Sequence, residues 1–287
     1  MVILGLGYCG AAIARDAVAA GFSVAGTRRD PASGPAVPGV EILRFADASD
    51  AVRRATHIVS TAAPLPQGDP GLLAHRGALR DNAGLRWIGY LSTTGVYGDR
   101  GGDWVDETSH PAPGQDRSRL RLAAEQAWAD FADRAAVDLF RTGGIYGPHR
   151  SPFDDLRAGV ARCIVKPGHS FSRIHRDDIA AAVVAAALSP PGPGVRVLHL
   201  VDDEPSAQAD VVAEAARLLG MPPPPALPYE QAAATMSPMA RSFWSENRKV
   251  SSARTLAALK IAWRYPTYRE GLAATLMAEA PPATGGA

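Results

Sequence analysis

Three glycines near the start of the chain have the spacing of a loop that binds phosphate groups. An apolar run at 2–4 is followed at once by the segment Gly5-Leu6-Gly7-Tyr8-Cys9-Gly10. In a strand-loop-helix unit, Gly5 permits the tight turn, Gly7 lets the backbone approach a pyrophosphate, and Gly10 lets the helix pack closely on the strand. The N-terminus of the helix then faces the anion. The loop predicts a dinucleotide-binding site, with Tyr8 and Cys9 as further contacts.

The end of the second predicted strand favours one dinucleotide over the other. An NAD site carries a carboxylate here, roughly 20 residues past the loop, which binds the ribose 2′-hydroxyl. The strand instead runs into Thr27-Arg28-Arg29, which offers a hydroxyl and two guanidinium groups suited to a 2′-phosphate. We therefore expect NADP(H) rather than NAD, with Thr27, Arg28 and Arg29 among its contacts. Asp30, one position later, leaves the NAD interpretation open.

Two further segments are candidates for contacts with the cofactor. Asp47 follows the third predicted strand, where a side chain can reach the edge of an adenine ring. Ala62 and Ala63 follow the fourth strand, where small side chains allow a cofactor to come close to the backbone. Ordinary loop chemistry is the other interpretation of both segments.

The elements that must position these residues follow the pattern of a parallel sheet with helices on both faces. Apolar or β-branched runs alternate with amphipathic stretches, and the runs occupy residues 2–4, 22–25, 40–45, 57–60, 87–92 and 137–141. After about residue 150, prolines separate a helical stretch at 177–188, an apolar run at 195–201 and a helix at 208–220. The predicted fold class is α/β, a Rossmann doubly wound parallel sheet with a smaller C-terminal α/β lobe. The predicted division is a NAD(P)-binding domain at 1–150, mainly a substrate lobe at 151–280 with some segments returning to the sheet, and a disordered tail at 281–287.

Composition excludes several classes of protein. The 287 residues carry 30 Lys and Arg against 29 Asp and Glu, with no concentrated basic run, so nucleic acid is not an expected partner. The longest apolar stretch, 179–188, is too short to cross a bilayer, and no signal peptide precedes the first strand. We therefore expect a cytoplasmic protein with no membrane partner. Cys9, Cys163 and the 7 His show no ligand spacing, so no metal site is predicted and both cysteines are expected to be packed side chains.

Later motifs resemble those of one large enzyme family. They are Leu91-Ser92-Thr93-Thr94-Gly95-Val96-Tyr97-Gly98-Asp99, Gly144-Ile145-Tyr146-Gly147-Pro148, and the segments 173–180 and 265–272. Together with the phosphate loop, they make the chain resemble the extended short-chain dehydrogenase/reductases, most closely the nucleoside-diphosphate-sugar epimerase group. The resemblance covers nearly the whole length. It implies an NAD(P)-dependent oxidoreductase or epimerase-like enzyme that acts on a hydroxyl or carbonyl group.

The resemblance implies three catalytic positions, of which this chain keeps one. Family members place a Ser or Thr after the fifth strand and a Tyr-x-x-x-Lys pair on the next helix, in which the Tyr exchanges a proton with the substrate and the Lys holds the nicotinamide ribose. Thr93 matches the hydroxyl position, with Ser92 beside it as the runner-up and as a cofactor contact. The pair is replaced by Arg117 and Arg121.

The two arginines change what this helix can do. An Arg, whose pKa exceeds about 12, is a poor acid in place of a phenol, so Arg117 cannot replace the Tyr. Arg121 remains a candidate to hold a ribose or a phosphate. At a spacing of four residues the two side chains share a helix face, and a solvated charged face is the other interpretation.

Another phenol must supply the acid if catalysis occurs. Tyr97, in the Val-Tyr-Gly turn after the fifth strand, is the nearest in sequence and is our catalytic candidate. Tyr146, after the sixth strand, is a second candidate. A packed aromatic side chain is the other interpretation for both residues.

The substrate site is indicated only by positive charge. The resemblance implies an Arg that binds the substrate diphosphate at a position where this chain has Phe171. Arg173 lies two residues later, and this shift keeps it on the same face of an extended segment. Arg241 lies in the segment 236–244, which mixes Met, aromatic and basic residues and is a candidate lid over an anionic ligand. Ordinary packing of the lobe is the other interpretation of that segment.

Two functions stay open from the sequence. The first is an NADP-dependent oxidoreductase or epimerase-like enzyme with a small-molecule substrate, a sugar nucleotide included. The second is a non-catalytic NADP(H)-binding sensor or scaffold, which the replaced Tyr and Lys favour. A homodimer is also considered, formed through the helix at 117–134, in which Trp128 and Phe131 are either contacts or core residues.

Overall fold

The computed structural model describes residues 1–279, so the tail predicted at 281–287 lies outside the described residues. The strands in this part of the chain are β1 (Val2–Leu4), β2 (Val24–Arg28), β3 (Val40–Arg44), β4 (His57–Ser60), β5 (Trp87–Thr93), β6 (Trp104–Val105), β7 (Ala136–Thr142), β8 (Gly144–Tyr146), β9 (Cys163–Val165), β10 (Arg173–His175), β11 (Gly194–Leu200), β12 (Ala226–Pro228) and β13 (Lys249–Val250). The helices are α1 (Tyr8–Ala19), α2 (Ser49–Arg54), α3 (Pro70–Arg80), α4 (Asp116–Ala129), α5 (Pro152–Arg157), α6 (Arg176–Leu188), α7 (Gln208–Leu218), α8 (Tyr229–Ala233), α9 (Pro238–Phe243), α10 (Ala253–Leu259) and α11 (Tyr268–Glu279). None of these helices is long and apolar enough to cross a membrane.

One parallel sheet carries seven of the strands in the order β11-β7-β5-β4-β1-β2-β3. The order reverses at β1, where Val2 pairs with Ala25 on one side and with Ile58 on the other. In open parallel sheets, ligands bind outside the carboxyl ends of the strands at such a reversal. The phosphate loop lies at this point because it joins β1 to α1.

The predicted α/β Rossmann class is confirmed, and each predicted strand run overlaps a strand of the main sheet. The run predicted at 195–201 becomes β11, which pairs with β7 at the edge of this sheet. The helices predicted at 177–188 and 208–220 become α6 and α7. The division of the chain near residue 150 stays a prediction.

The main sheet is buried on both faces, as expected for parallel strands between two helix layers. Trp87 and Leu91 of β5 pack into one core, together with Ile13 of α1 and Ile179 of α6. The alternate residues of β5 pack into a second core against α3 and α4.

Two residues considered as dimer contacts belong to this second core. Trp128 is 0% exposed and Phe131 is 4% exposed, and both pack within their own chain. Neither side chain is therefore available to a partner in this structure. The homodimer itself stays a prediction without these contacts.

Three short parallel strand pairs build the smaller lobe and attach it to the sheet edge: β8 with β10, β9 with β12, and β6 with β13. A separate apolar cluster, formed by Tyr146, Phe153, Val211 and Leu272, joins α5, α7 and α11. Both cysteines are free and buried, as predicted. With these strand pairs and this apolar cluster, the smaller lobe closes over the carboxyl ends of β5 and β7.

Candidate functional site

The phosphate loop is fixed by hydrogen bonds from both neighbouring strands. Gly5 adopts a φ of +112°, which L side chains rarely adopt. Its N–H donates to Thr27 Oγ1 at 3.0 Å, and its carbonyl oxygen accepts from Thr61 Oγ1 at 2.7 Å. A Cβ at Gly10 would lie 2.0 Å from that same carbonyl oxygen, so only glycine fits there. The turn is thus held in one conformation by β2, β4 and the start of α1.

Gly7 faces open space above this turn. A Cβ on Gly7 would meet no atom within 4 Å, so the backbone here is accessible to a ligand of the cavity. That cavity has a volume of about 860 Å³. Its lining residues come from both sides of the order reversal, and they are Gly5, Leu6, Gly7, Tyr8, Ala11, Thr27, Arg28, Arg29, Ser33, Gly34, Pro35, Phe45, Ala62, Ala63, Leu65, Pro70 and Arg176. The donor-rich loop, its exposed backbone and the volume fit an extended dinucleotide. We refer to this space as the cofactor cavity.

All the charged residues that line the cofactor cavity are arginines: Arg28, Arg29 and Arg176. Arg28 donates to the carbonyl oxygens of Ser33 and Pro35, at 2.6 Å each, and so holds the following loop in place. Arg29 is exposed at the rim. Asp30 does not line the cavity; its Oδ1 accepts from the N–H of Ala32 at 3.0 Å. The cavity is therefore positively charged where an NAD site would carry a carboxylate.

Four of the predicted cofactor contacts have other roles. Asp47 is exposed beside Arg44, at 3.7 Å, and the ring of Phe45 lines the cavity instead. Thr27 lines the cofactor cavity, but its hydroxyl is fully buried and accepts the N–H of Gly5. Cys9 faces the protein core, because α1 turns its side chain away from the cavity.

Ser92 is the fourth predicted cofactor contact that has another role. Its hydroxyl donates to Glu125 Oε1 at 2.5 Å, in a buried position behind the strand end. Glu125 is in turn paired with Arg141, whose Nη2 lies 2.7 Å from Oε2. Ser92 therefore anchors α4 to β5, and the structure does not place it against the cofactor cavity.

Tyr8, Ala62 and Ala63, three of the predicted cofactor contacts, line the cofactor cavity, and their contact with a cofactor stays a prediction. The Tyr8 hydroxyl donates to the Pro148 carbonyl at 3.0 Å, which ties the loop to the strand β8 region. Arg176, which the sequence reasoning missed, lies over the Tyr8 ring with its guanidinium carbon 4.9 Å from the ring centroid. The sequence signal that could have identified Arg176 is its position directly after the Ile-His segment.

A second cavity, of about 410 Å³, opens at the carboxyl ends of β5 and β7. We refer to it as the substrate cavity. Its lining residues come from the sheet edge, α4 and the smaller lobe, and they are Thr93, Thr94, Arg117, Thr142, Gly143, Gly144, Ile145, Tyr146, Ser170, Phe171, Ser172, Arg173, Gln208, Ser242, Phe243, Trp244, Glu246, Arg248 and Val250. Thr93 Oγ1 accepts the N–H of Gly95 at 3.1 Å. Its own proton stays free to be donated to a ligand oxygen.

Tyr97 does not reach either cavity, which corrects its candidacy as a catalytic acid. The side chain is 0% exposed. Arg141 Nη1 donates to the Tyr97 oxygen at 2.8 Å. His199 Nδ1 lies 2.8 Å from the Ser251 carbonyl oxygen and therefore carries the ring proton, which leaves Nε2 as an acceptor. The Tyr97 hydroxyl donates to this Nε2 at 2.6 Å. Burial raises the pKa of Tyr97 to about 12. A phenol so enclosed has no route to a substrate, so Tyr97 is a structural residue.

The two arginines of α4 lie in different surroundings: Arg121 is half-buried, whereas Arg117 is exposed. Arg121 Nη1 donates to the carbonyl oxygens of Leu91 at 2.7 Å and Ala62 at 3.3 Å. It thus joins the ends of β5 and β4 at the position where the family carries Lys. Arg117 lies at the position of the family Tyr and lines the substrate cavity, with its guanidinium carbon 3.9 Å from the ring centroid of Phe243.

Of the two arginines predicted to contact substrate, one lines the substrate cavity. Arg173 Nη1 donates to the carbonyl oxygens of Phe171 at 3.0 Å and Ser206 at 2.9 Å, and burial lowers its pKa. Arg241 is exposed, donates to the Ala233 carbonyl at 3.1 Å and does not line the cavity. The short helix α9 turns it outward, and Arg248 lines the cavity from the next segment instead.

Known proteins similar to this chain include several NAD(P)-binding proteins. No family model matches the chain. A functionally unknown conserved protein of known structure from Silicibacter pomeroyi is 40% identical, with a TM-score of 0.88 over 97% of this chain and 99% of that one. A putative NAD-dependent epimerase/dehydratase from Methylobacillus flagellatus is 26% identical, with a TM-score of 0.72 over 96% and 97% of the two chains. Protein YeeZ of Escherichia coli K12 is 28% identical over 249 residues, which cover 78% of this chain and 85% of YeeZ.

More distant proteins share the fold or part of the sequence. The human epimerase family protein SDR39U1, solved with NADPH, is 19% identical, with a TM-score of 0.74 over 96% and 98% of the two chains. UDP-glucose 4-epimerase of Thermus thermophilus, solved with NAD, is 21% identical, with a TM-score of 0.74 over 96% and 97%. A 3-diazoavenalumate denitrifying reductase from Streptomyces is 30% identical over 174 residues, which cover 56% of this chain and 54% of the reductase.

The sheet order, the phosphate loop and these similarities all indicate a Rossmann fold that binds a nicotinamide dinucleotide. The chain has the Rossmann fold of NAD-dependent epimerase/dehydratase-like extended short-chain dehydrogenase/reductases, which are among its structural neighbours, as the resemblance predicted.

Proposed function

We propose that this protein is an NADP(H)-dependent oxidoreductase or epimerase-like enzyme that acts on a hydroxyl or carbonyl group. The observation that carries the proposal is the cofactor cavity, whose charged lining consists of three arginines with no carboxylate among the described residues. A 2′-phosphate adds negative charge at the end of β2, where an NAD site would offer an acid. Both cofactors occur among the distant structural neighbours, NADPH in the human protein and NAD in the Thermus thermophilus epimerase.

The residues of the cofactor cavity divide the binding of NADP(H) among them. The backbone at Gly7 and the N-terminus of α1 face the pyrophosphate, with Arg176 adding positive charge. Arg29 and the remaining N–H groups of Arg28 bind the 2′-phosphate. Phe45 provides an apolar surface for the adenine.

When bound, the cofactor supplies or accepts the hydride, and the chain provides the surroundings of the reacting oxygen. Thr93 donates a hydrogen bond to that oxygen and orients it. Arg117, in the place of the family phenol, stabilises negative charge that develops on the oxygen, as preorganised donors do in other active sites. Because a guanidinium keeps its proton at neutral pH, Arg117 acts electrostatically and the proton comes from water.

Reduction is the direction that we favour. The partly matching Streptomyces protein is named a reductase. NADPH is also the hydride donor that a 2′-phosphate site selects. Arg121 holds the ends of β4 and β5 together and so would stabilise the strand ends near a bound nicotinamide.

A second candidate function is a non-catalytic NADP(H)-binding sensor. It is favoured by the two arginines in place of Tyr and Lys and by the enclosure of Tyr97 in the core. In that case the cofactor cavity reports the cofactor and the substrate cavity serves only to bind a ligand.

Binding and turnover measurements on the purified protein separate these functions. We expect NADPH to bind at least tenfold more tightly than NADH, and absorbance of the reduced nicotinamide to fall when a suitable carbonyl compound is added from a broad panel. Tight NADPH binding without turnover across the panel supports the sensor. Equal affinity for NADPH and NADH contradicts the proposed cofactor.

A further inference from the structure

The substrate cavity holds more positive than negative charge. Its charged lining residues are Arg117, Arg173 and Arg248, against the single carboxylate of Glu246. Arg248 Nη1 is paired with Glu246 Oε2 at 2.9 Å, whereas Arg173 donates to backbone carbonyl oxygens. Arg117 has an aromatic ring beside it and no ion pair among residues 1–279. The charged lining of the cavity thus carries an excess of two positive charges, three guanidinium groups against one carboxylate.

Several polar atoms at the same cavity have no partner in the described part of the chain. They are Nε of Arg248, Oε1 of Glu246 and Oγ of Ser170, all buried. A buried polar group without a partner is uncommon in native proteins and often marks a ligand site. Burial also lowers the pKa of Arg248, so a nearby anion would stabilise its charged form. The arginine and serine supply donors, which an anion can accept from.

The walls of the substrate cavity beside these groups are aromatic. Phe171 and Trp244 pack edge to face, with ring centroids 5.0 Å apart. The Phe243 ring lies against Arg117 at 3.9 Å. A planar apolar body can pack against such rings, while the guanidinium fork matches the oxygens of a carboxylate or phosphate.

Helix α4 is held so that Arg117, an exposed residue, lines this cavity. Ser118, the next residue, packs so closely on Gly95 that a Cβ there would lie 2.8 Å from Ser118 Oγ. This contact places the start of α4 against the 3₁₀ turn that follows Thr93. Arg117 and Thr93 consequently line the same cavity from adjacent elements.

We propose that the substrate cavity binds the anionic group, a carboxylate or a phosphate, of a small substrate with a planar apolar body, and that Arg117 and Arg248 are its principal ligands. The inference rests on the proposed function, since Thr93 in the same cavity is the group that orients the reacting oxygen. The anion therefore lies in the same cavity as the reacting oxygen.

The test is a calorimetric titration of the full-length protein, with and without NADP⁺, using four probes. Acetate, benzoate, inorganic phosphate and phenyl phosphate separate the type of anion from the contribution of the planar body. The variants are Arg117→Gln, Arg248→Gln and, as a matched control, Arg119→Gln. Arg119 lies on the same helix, is exposed and is paired with Asp116.

We expect either benzoate or phenyl phosphate to bind at least tenfold more tightly than acetate or inorganic phosphate. The Arg117→Gln and Arg248→Gln variants should each lose at least tenfold in affinity, whereas Arg119→Gln should stay within twofold of the wild type. Added salt should weaken the binding. Circular dichroism of each variant shows that the fold is retained.

The inference is overturned if no probe binds, or if Arg119→Gln weakens binding as much as Arg117→Gln does. Failure of this inference is distinguishable from failure of the proposed function. NADPH binding without any anion site removes only the present inference. An anion site in a protein that does not bind NADPH removes only the proposed function.

Discussion

The two cavities at the carboxyl edge of the sheet differ in the chemical groups that shape them. The cofactor cavity depends on backbone: Gly5, Gly7 and Gly10 shape a turn whose backbone is open to the cavity at Gly7. The substrate cavity rests on side chains, Thr93 and Arg117 among them, which different elements bring together. A backbone site is tied to one local motif, whereas a side-chain site can change its chemistry by substitution without any change of fold. This difference explains how the chain keeps the family's cofactor loop while arginines replace the catalytic pair.

The largest expected effect lies behind the substrate cavity, at the buried ion pair of Glu125 and Arg141. Glu125→Gln leaves the Arg141 charge unpaired at a position where both side chains are at most 6% exposed. We expect a loss of about 3–5 kcal/mol in the free energy of unfolding, measured with urea. As a control, Arg76→Gln, which breaks the exposed pair with Asp130, should cost less than about 1 kcal/mol. Similar losses in the two variants would contradict the larger contribution to stability that we assign to the buried ion pair.

The next effect depends on pH and concerns Asp202, at the end of β11 next to the substrate cavity. Both carboxylate oxygens are buried without a partner in the described residues, and burial raises the pKa to about 8 from 3.8. The folded state thus favours the protonated form, and the stability that this form contributes is complete below about pH 4 and is lost as the pH rises through about 8.

Asp202→Asn removes this titration. Its free energy of unfolding relative to the wild type should therefore increase by more than about 2 kcal/mol between pH 4 and pH 9, since each unit of pKa shift corresponds to about 1.4 kcal/mol. Thermal or urea unfolding across this pH range measures the difference. A difference that is constant with pH would mean that Asp202 is not held in its protonated form.

On the cofactor side, Gly10→Ala tests the backbone directly. The new Cβ would lie 2.0 Å from the Gly5 carbonyl oxygen, so the turn must shift. We expect a loss of about 1–3 kcal/mol in stability, together with loss of NADPH binding. Gly77→Ala is the matched control, because a Cβ there meets no atom within 4 Å; it should stabilise α3 by about 0.5–1 kcal/mol. An unchanged affinity in Gly10→Ala would contradict the role assigned to the loop.

The distinction between a local backbone motif and side chains from distant elements also explains what could be predicted from the sequence. The fold and the phosphate loop follow from local patterns, strand periodicity and glycine spacing, which need no knowledge of distant contacts. Tyr97 could not be placed in this way, because its partners Arg141 and His199 are 44 and 102 residues away in the chain. Arg241 and Asp47 were chosen by charge and position alone, and local backbone direction turns both toward solvent.

The central claim is that backbone binds the shared pyrophosphate while arginines at the rim select the 2′-phosphate. Titration of NADPH and NADH into Gly7→Ala and Arg29→Ser tests it most directly, because Gly7 has an ordinary negative φ and a Cβ there meets only open space. Both variants should therefore fold like the wild type. We predict that Gly7→Ala weakens both cofactors to a similar extent, and that Arg29→Ser weakens NADPH by about tenfold and leaves NADH unchanged. Equal losses of NADPH and NADH in Arg29→Ser would contradict the account.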